Sequence, residues 1–280
     1  MRTPTPTVLA TLPTEQINPR TRDLDRMSTA QILAAIHRED AAVAAAVYRQ
    51  RAAIARAVDR IVASLRGAGR LIYVGAGTSG RLGVLDASEI PPTFNVAPQK
   101  VVGLIAGGKR ALYSAAEGAE DDPRLAARDL ARLRVGPADT VVGIAASGRT
   151  PYTVGALRYA ARCGAATIAV ACVSGSELAR AAQIAIEAVT GPEVIAGSTR
   201  MKAGTAQKLI LNMLSTAAMI RLGYVHGNLM VNLRAKNAKL RARAEGILAT
   251  ITGLDAAAAR RRLRAAGGDL RAALQRASSS

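Results

Sequence analysis

Apolar residues recur along the N-terminal part of the chain at spacings of three, four and seven. In the stretch STAQILAAI, Ser28 predicts a helix start, and Gln31 completes a capping box three residues later. The same repeat continues over residues 43–65, which predicts one long amphipathic helix. Residues 1–27 are rich in Pro and Thr and then polar, and they predict an extended arm ahead of these helices.

After this region the pattern changes to short apolar runs separated by helical segments. A helix is predicted over 151–163, with Thr150 as its cap, and another at about 202–222. Helical patterns continue after residue 235 and include two short helices split by Gly267-Gly268. Strands that alternate with helices predict an α/β fold with a parallel sheet covered on both faces. The runs with the length of buried strands are 71–75, 100–106, 140–146, 166–172 and 183–189.

Length and composition narrow the class of protein. The 280 residues suit one large domain or two modest ones, and half of them are apolar, as in globular proteins. No uncharged apolar run is long enough for a membrane span, and the N-terminal apolar patch is too short for a signal peptide, so we expect a cytoplasmic protein without a membrane partner. Two cysteines and two histidines argue against a disulfide framework and a zinc site.

The formal charge of +18 raises the question of a nucleic-acid partner. Residues 221–280 are the densest basic region, with 12 Lys and Arg against 3 Asp and Glu. Aromatic residues are limited to Phe94 and six tyrosines, which is too few for a platform that stacks single-stranded bases. We therefore expect no nucleic-acid partner and interpret the basic tail as a solvated helical face.

The glycine motif G-x-G-x-x-G occurs once, at Gly75, Gly77 and Gly80, directly after an apolar run. A dinucleotide-binding fold also needs an acidic residue at the end of the second strand, where it binds the ribose. Here the second strand ends in the sequence 106–109, AGGK, without an acid. The sequence therefore argues against NAD as a ligand.

Two more predicted helix starts share the chemistry of this glycine turn. Each combines glycine with hydroxyl side chains, and two of the three add a nearby Arg or Lys. Backbone N–H groups and the helix dipole at such ends favour a phosphate group. The chain is therefore predicted to bind a phosphorylated small molecule. The predicted contacts are Gly77, Thr78, Ser79, Ser147, Gly148, Arg149, Thr150, Ser198, Thr199 and Lys202.

Several long blocks resemble the N-acetylmuramic acid 6-phosphate etherase family. They are GAGTSGRLGVLDASEIPPTF, GLIAGG, EGAED, GIAASGRTPY, GPEVIAGSTRMKAGTAQKL and GNLMVNL, and the similarity runs to about Leu240. The resemblance implies a sugar isomerase (SIS) fold, a three-layer sandwich with a five-stranded parallel sheet, N-terminal helices and a small C-terminal helical segment, in a homodimer. The corresponding division is an arm over 1–27, a SIS sugar-phosphate domain over 28–240 and a helical segment over 241–280.

The resemblance also implies a reaction and its two acid–base residues. The family cleaves the D-lactyl ether of a phosphorylated amino sugar, N-acetylmuramic acid 6-phosphate, by elimination and then water addition, in cell-wall sugar recycling. No metal or organic cofactor is expected. The catalytic glutamates of the family map to Glu89 in the D-A-S-E block and Glu120 in the E-G-A-E block. We assign Glu89 as the acid at the ether oxygen and Glu120 as the base at carbon 2.

Two alternatives use the same phosphate loops: a sugar-phosphate isomerase and a sugar-phosphate-binding regulator of the SIS family. From the residues alone, Glu89 would more often be a solvated surface charge. The chain also departs from the family pattern, with Cys172-Val173-Ser174 in place of Cys-Asn-Pro and with Asn232 where Asp is expected. Neither departure involves a catalytic glutamate.

Overall fold

The structure, a computed structural model, describes residues 13–114, 116, 118–235 and 238–275. Five parallel strands form one sheet in the order β2-β1-β3-β4-β5, which confirms the predicted α/β fold. Each observed strand lies within its predicted apolar run. The strands are β1 (Leu71–Gly75), β2 (Val101–Ile105), β3 (Thr140–Ile144), β4 (Ala166–Ala171) and β5 (Ile184–Glu187).

Helices cover both faces of this sheet, and short 3-10 turns connect several elements. The helices are α1 (Thr29–Asp40), α2 (Val43–Tyr48), α3 (Arg51–Arg66), α4 (Gly77–Phe94), α5 (Pro123–Arg132), α6 (Pro151–Arg162), α7 (Glu177–Arg180), α8 (Lys202–Arg221), α9 (Ala238–Thr252), α10 (Ala256–Ala265) and α11 (Leu270–Gln275). The 3-10 turns are Pro19–Thr21, Leu24–Arg26, Gly108–Leu112 and Ala119–Asp121. A small hairpin of β6 (Val225–His226) and β7 (Leu229–Met230) follows α8.

Alternate residues of the strands enter two separate apolar cores. In β1, Leu71 and Tyr73 pack with α3, α4 and α8, whereas Ile72 and Val74 pack with α5 and α6. Because a parallel sheet is covered on both sides, every residue of β1 is buried. The result is a sandwich of helices, sheet and helices. A third apolar cluster joins α9, α10 and α11 with Val231 and Leu233.

Local sequence signals explain most helix ends. Ser28 and Gln31 form the predicted capping box at the start of α1, and Gly164 has the positive φ of 76° expected just past α6. Thr150 is the N-cap residue of α6 as predicted, but the expectation that its side chain caps the helix was wrong, because its hydroxyl makes no cap hydrogen bond. Pro151 begins the helix without a side-chain cap ahead of it.

The predicted long helix over 43–65 is also wrong in one respect. It is divided into α2 and α3, and the break falls at Arg49 and Gln50. At the break, the Gln50 side chain accepts a hydrogen bond from the Glu187 backbone N–H of β5 at 3.2 Å. The spacing of apolar residues continues across the break, so the periodicity alone did not reveal that the helix is divided.

The described part of the predicted extended arm is folded against the main body. Residues 19–26 form two 3-10 turns, and the Thr21 hydroxyl donates to the Val194 carbonyl at 2.8 Å. The Gly197 N–H donates to the Thr14 carbonyl at 3.0 Å. Among the residues described, no helix combines the length and apolar character needed to cross a bilayer.

Candidate active site

Two loops meet where the strand order changes direction. β1 lies between β2 and β3 in the sheet. The connection that follows β1 and the connection that follows β3 therefore cross opposite faces of the sheet. Ligands of such sheets bind at the carboxyl ends of the two strands where this change occurs. The last residue of β1, Gly75, pairs with Ile144, the last residue of β3. The loops 76–80 and 145–150 are therefore neighbours at the carboxyl edge of the sheet.

The glycine motif of the first loop serves close backbone packing. A Cβ atom on Gly75 would lie 2.8 Å from the Gly80 nitrogen, and one on Gly80 would lie 2.7 Å from the Gly75 oxygen. Gly77 begins α4 with a φ of 52°, and the space beside its α-carbon is open. Two of the three glycines thus bring α4 against β1. Gly77, the exposed third glycine, turns the chain, and α4 begins there without a side-chain cap.

The second loop holds free hydroxyl groups in a fixed backbone. Gly148 is buried with a φ of 63°, and a Cβ atom there would lie 2.3 Å from the Ser176 Cβ. Its carbonyl accepts a hydrogen bond from the Leu178 N–H at 2.9 Å. Within the described residues, the side-chain hydroxyls of Ser147 and Thr150 form no hydrogen bond. They are available to a ligand at the uncapped start of α6.

The third predicted helix start is already occupied by protein groups. The buried carboxylate of Glu193 accepts hydrogen bonds from the Lys202 and Ala203 N–H groups at 3.0 and 2.9 Å. The Lys202 ammonium is only 3% exposed and donates to Glu39 at 2.6 Å. The Lys202 N–H thus donates to the Glu193 carboxylate, and its ammonium is paired with Glu39. Both groups are engaged with the protein, so neither is free for the predicted ligand contact.

Ser198 and Thr199 lie just ahead of α8 and are half-buried. In the described part of the chain their hydroxyls have no hydrogen-bond partner. They remain predicted ligand contacts, but the helix start that follows them does not have free N–H groups at Lys202 and Ala203.

α8 nevertheless contacts the first loop directly. The buried hydroxyl of Ser79 donates to Gln207 Oε1 at 2.9 Å, and a Cβ atom on Gly204 would lie 3.5 Å from Thr78 Cγ2. The structure therefore brings Thr78 and Ser79 together with α8. Gln207 was not predicted as part of the site. Its position in the second turn of α8 carries no sequence signal for this contact.

Glu120 lies at the same edge of the sheet, in the 3-10 turn after β2. It lines a cavity of about 150 Å³ together with Gly77, Arg81 and the alanines at 76, 106, 111 and 116. Arg81 Nε donates to the Leu112 carbonyl at 3.1 Å, which holds its side chain at this cavity. One predicted glutamate therefore stands beside the uncapped start of α4. Arg149 lines a different cavity, between α5 and α6.

Glu89 does not lie in this cavity. It follows Gly77 by twelve residues in α4, so it is about 18 Å further along the helix axis. Its side chain is exposed on the surface of the chain. Within one chain the two predicted glutamates are presented at separate places.

One buried acidic network lies one helical turn before Glu89. Asp86 accepts hydrogen bonds from the Tyr73 hydroxyl at 2.9 Å, Asn212 Nδ2 at 2.8 Å and the Ser215 hydroxyl at 3.1 Å. Burial raises the pKa of Asp86, and the three donors oppose this shift without cancelling it. The network links α4 to β1 and α8, and no sequence motif indicated it.

Of the residues that depart from the family pattern, Asn232 makes a structural contact, Val173 is buried and Ser174 is exposed. Asn232 Nδ2 donates to the Phe94 carbonyl at the end of α4, a contact that an ionised Asp could not make. The buried Cys172 thiol contacts the Ala203 carbonyl at 3.6 Å, and burial raises its pKa to about 12. His226 is exposed on the hairpin. No group of three or more His, Cys, Asp or Glu residues among those described is placed to hold a metal ion.

Known proteins resemble this chain over almost its whole length. Residues 53–161 match the family described as "Glucokinase regulatory protein N-terminal SIS domain", and residues 122–217 match the SIS domain family. An N-acetylmuramic acid 6-phosphate etherase from Halalkalibacterium halodurans is 52% identical over 95% of this chain and 90% of its own length. One from Streptomyces coelicolor is 54% identical over 95% of this chain and 86% of its own length.

A solved structure shares the fold at much lower identity. Phosphoheptose isomerase GmhA from Neisseria gonorrhoeae matches with a TM-score of 0.52 and 14% identity, over 68% of this chain and 98% of that chain. At this identity the similarity supports the SIS architecture and nothing finer.

Proposed function

The chain belongs to the N-acetylmuramic acid 6-phosphate etherase family, and we propose that it cleaves the D-lactyl ether of N-acetylmuramic acid 6-phosphate. The products are N-acetylglucosamine 6-phosphate and D-lactate, and the reaction serves cell-wall sugar recycling in the cytoplasm. The observation that carries the proposal is the pair of uncapped helix starts beside Glu120 in a chain about half identical to such etherases.

The sugar phosphate binds across the two neighbouring loops in this proposal. The first N–H groups of α4, at Gly77, Thr78 and Ser79, and the start of α6 present positive ends of helix dipoles. The free hydroxyls of Ser147 and Thr150 add donors to the phosphate oxygens. The positive ends of two helices at one edge of the sheet favour a dianionic group there.

The proposed chemistry needs one base and one acid. In the open-chain sugar, carbon 2 lies next to the aldehyde, so Glu120 removes an acidic proton while the bond from carbon 3 to the ether oxygen breaks. Glu89 gives its proton to that oxygen, and D-lactate leaves. Water then adds to carbon 3 of the resulting double bond, with its proton passing to the Glu89 carboxylate while carbon 2 regains a proton from Glu120.

We assign the two glutamates to different chains of a homodimer. Glu89 is exposed and lies about 12 Å along α4 beyond Arg81, the last α4 residue that lines the cavity at Glu120, so we place the two carboxylates of one site on different chains. The cavity of about 150 Å³ at Glu120 is also smaller than typical small-molecule sites of about 300–1,000 Å³. A second chain that brings its own Glu89 over this cavity would supply the acid and enclose the substrate.

Lactate release is the direct test. Purified chain should release D-lactate from N-acetylmuramic acid 6-phosphate, and Glu89→Gln or Glu120→Gln should each lower turnover by at least about 100-fold. Glu245→Gln is the matched control, because Glu245 pairs with Arg260 in the C-terminal helices. Wild-type protein that binds the sugar phosphate but releases no lactate would contradict the proposed activity. Near-normal turnover in either variant would remove that glutamate from the mechanism.

A further inference from the structure

A second cavity, between α5 and α6, carries an unusual concentration of positive charge. Its volume is about 240 Å³, and it lies apart from the cavity at Glu120. Among the described residues, four arginines line it, and Glu177 is the one acidic residue of the lining. The arginines come from α5, α6 and the loop before α6. They are Arg124, Arg149, Arg158 and Arg162.

The two helices that form the walls are held at a fixed spacing. A Cβ atom on Gly155 would lie 2.7 Å from both the Pro123 Cβ and the Pro123 carbonyl oxygen, so α6 touches the start of α5. The Tyr152 hydroxyl donates to Asp129 Oδ2 at 2.9 Å and joins the same two helices. The backbone around the cavity is therefore pre-organised, and a ligand would not have to order it.

Most of the positive charge is not neutralised by the chain. Arg158 pairs with Glu177 at 2.9 Å. Over the described residues, Arg124, Arg149 and Arg162 form no ion pair, and Arg162 only stacks over the Tyr159 ring at 5.7 Å. Guanidinium groups stay protonated at every physiological pH. Like charges that face one cavity repel one another, and a bound anion would relieve this repulsion.

We propose that this cavity is a binding site for a small multivalent anion, one with at least two closely spaced phosphate or carboxylate groups. Arginines present paired N–H donors that match phosphate and carboxylate oxygens, and several arginines together favour a multivalent anion over a monovalent one. The cavity shares no described lining residue with the cavity at Glu120, and Pro151 at the start of α6 lines it, so it borders the proposed sugar-phosphate site. Arg149 links the two sites, because its backbone belongs to the loop of Ser147 and Thr150.

Calorimetry with inorganic pyrophosphate tests this site without requiring turnover. The full chain is titrated in the presence of saturating N-acetylglucosamine 6-phosphate, which fills the sugar-phosphate site. We expect one pyrophosphate per chain, and we expect the Arg124→Gln/Arg162→Gln variant to bind it at least about tenfold more weakly. The matched control is Arg56→Gln/Arg128→Gln, which removes two exposed positive charges outside the cavity and should change the affinity less than about twofold.

Three outcomes would overturn the proposal. One is an equal loss of affinity in both double variants, which would mean that pyrophosphate responds only to overall surface charge. The second is that wild-type protein does not bind pyrophosphate. The third is that N-acetylglucosamine 6-phosphate displaces pyrophosphate completely. Thermal melts establish whether each variant is folded. If Arg124→Gln/Arg162→Gln does not fold, the single variant Arg162→Gln takes its place. Failure of lactate release leaves this test intact, because pyrophosphate binding is measured independently of the proposed reaction.

Discussion

Asp86 shows how a single buried side chain can hold the helix that carries Glu89. Three donors from β1 and α8 meet its carboxylate. We expect Asp86→Ala to lower the free energy of unfolding by about 3 kcal/mol or more, since each buried donor left unpaired costs about 1–3 kcal/mol. Asp86→Asn keeps one acceptor oxygen and should cost about 1 kcal/mol. Urea unfolding of the three proteins measures these differences.

The same carboxyl group gives a pH dependence with a definite sign. Its pKa is raised in the folded chain by burial, so between the unfolded and folded pKa values the folded state holds more protons. The contribution of Asp86 to stability therefore falls as the pH rises through that range. Because Asn does not titrate, the stability deficit of Asp86→Asn relative to wild type should shrink as the pH rises. A deficit that grows with pH would contradict this reasoning.

Lys202 is a residue whose role could not be predicted from the sequence. Its place at a helix start predicted a ligand contact, but its partner Glu39 lies 163 residues away in the chain. Burial alone would raise the pKa of Glu39, but the hydrogen bond and charge of Lys202, together with Arg20, hold that pKa below its ordinary value. A pair of this kind depends on the folded arrangement of α1 and α8, and no local pattern encodes it.

Lys202→Met should therefore act on stability. Among the described residues it leaves the buried Glu39 carboxylate with the exposed Arg20 as its one ion-pair partner, and we expect a loss of about 3 kcal/mol in the free energy of unfolding at neutral pH. Because the lowered Glu39 pKa stabilises the fold above the unfolded pKa, the loss should become smaller as the pH falls and Glu39 is protonated. If unfolding were unchanged while sugar-phosphate affinity fell, Lys202 would instead be a ligand contact.

At the scale of elements, apolar patterning predicted the strands and most helices. Parallel strands that are covered by helices on both faces read as continuous apolar runs, and this is why each observed strand lies within its predicted run. The break between α2 and α3 and the Glu193 cap of α8 were missed. Both depend on side chains that contact another element, so the residues near the helix end do not reveal them.

The glycine motif yields a prediction at this same scale. Gly80→Ala places a Cβ atom 2.7 Å from backbone and side-chain atoms of β1 and β2, so α4 must move away from the sheet. We expect a loss of about 2–3 kcal/mol in unfolding free energy, as for overpacked cores. In Gly77→Ala the new Cβ atom has no atom of the described residues within 4 Å, and the positive φ should cost only about 1 kcal/mol. Thermal or urea unfolding of both variants separates packing from backbone strain, and equal losses would contradict the packing role.

At the scale of the whole molecule, the candidate site is spread over more than one surface. The sequence predicted Glu89 and Glu120 as a pair, but it contains no information on the distance between α4's far end and the loop after β2. Within one chain, α4 begins at the carboxyl edge of the sheet and runs away from it, and Glu89 lies about 12 Å beyond Arg81, the last α4 residue of the Glu120 cavity. Under the proposed function, a second copy of the chain brings its own Glu89 to this cavity.

Mixed dimers test this arrangement. Chains with Glu89→Gln and chains with Glu120→Gln are each expected to be nearly inactive, and they are combined by unfolding and refolding in equal amounts. In a two-fold symmetric dimer, half of the random dimers are mixed, and each has one site with both glutamates intact. Activity should therefore return to about a quarter of the wild-type value. If both glutamates acted within one chain, every site in the mixture would lack one of them, and activity would stay at the level of the single variants.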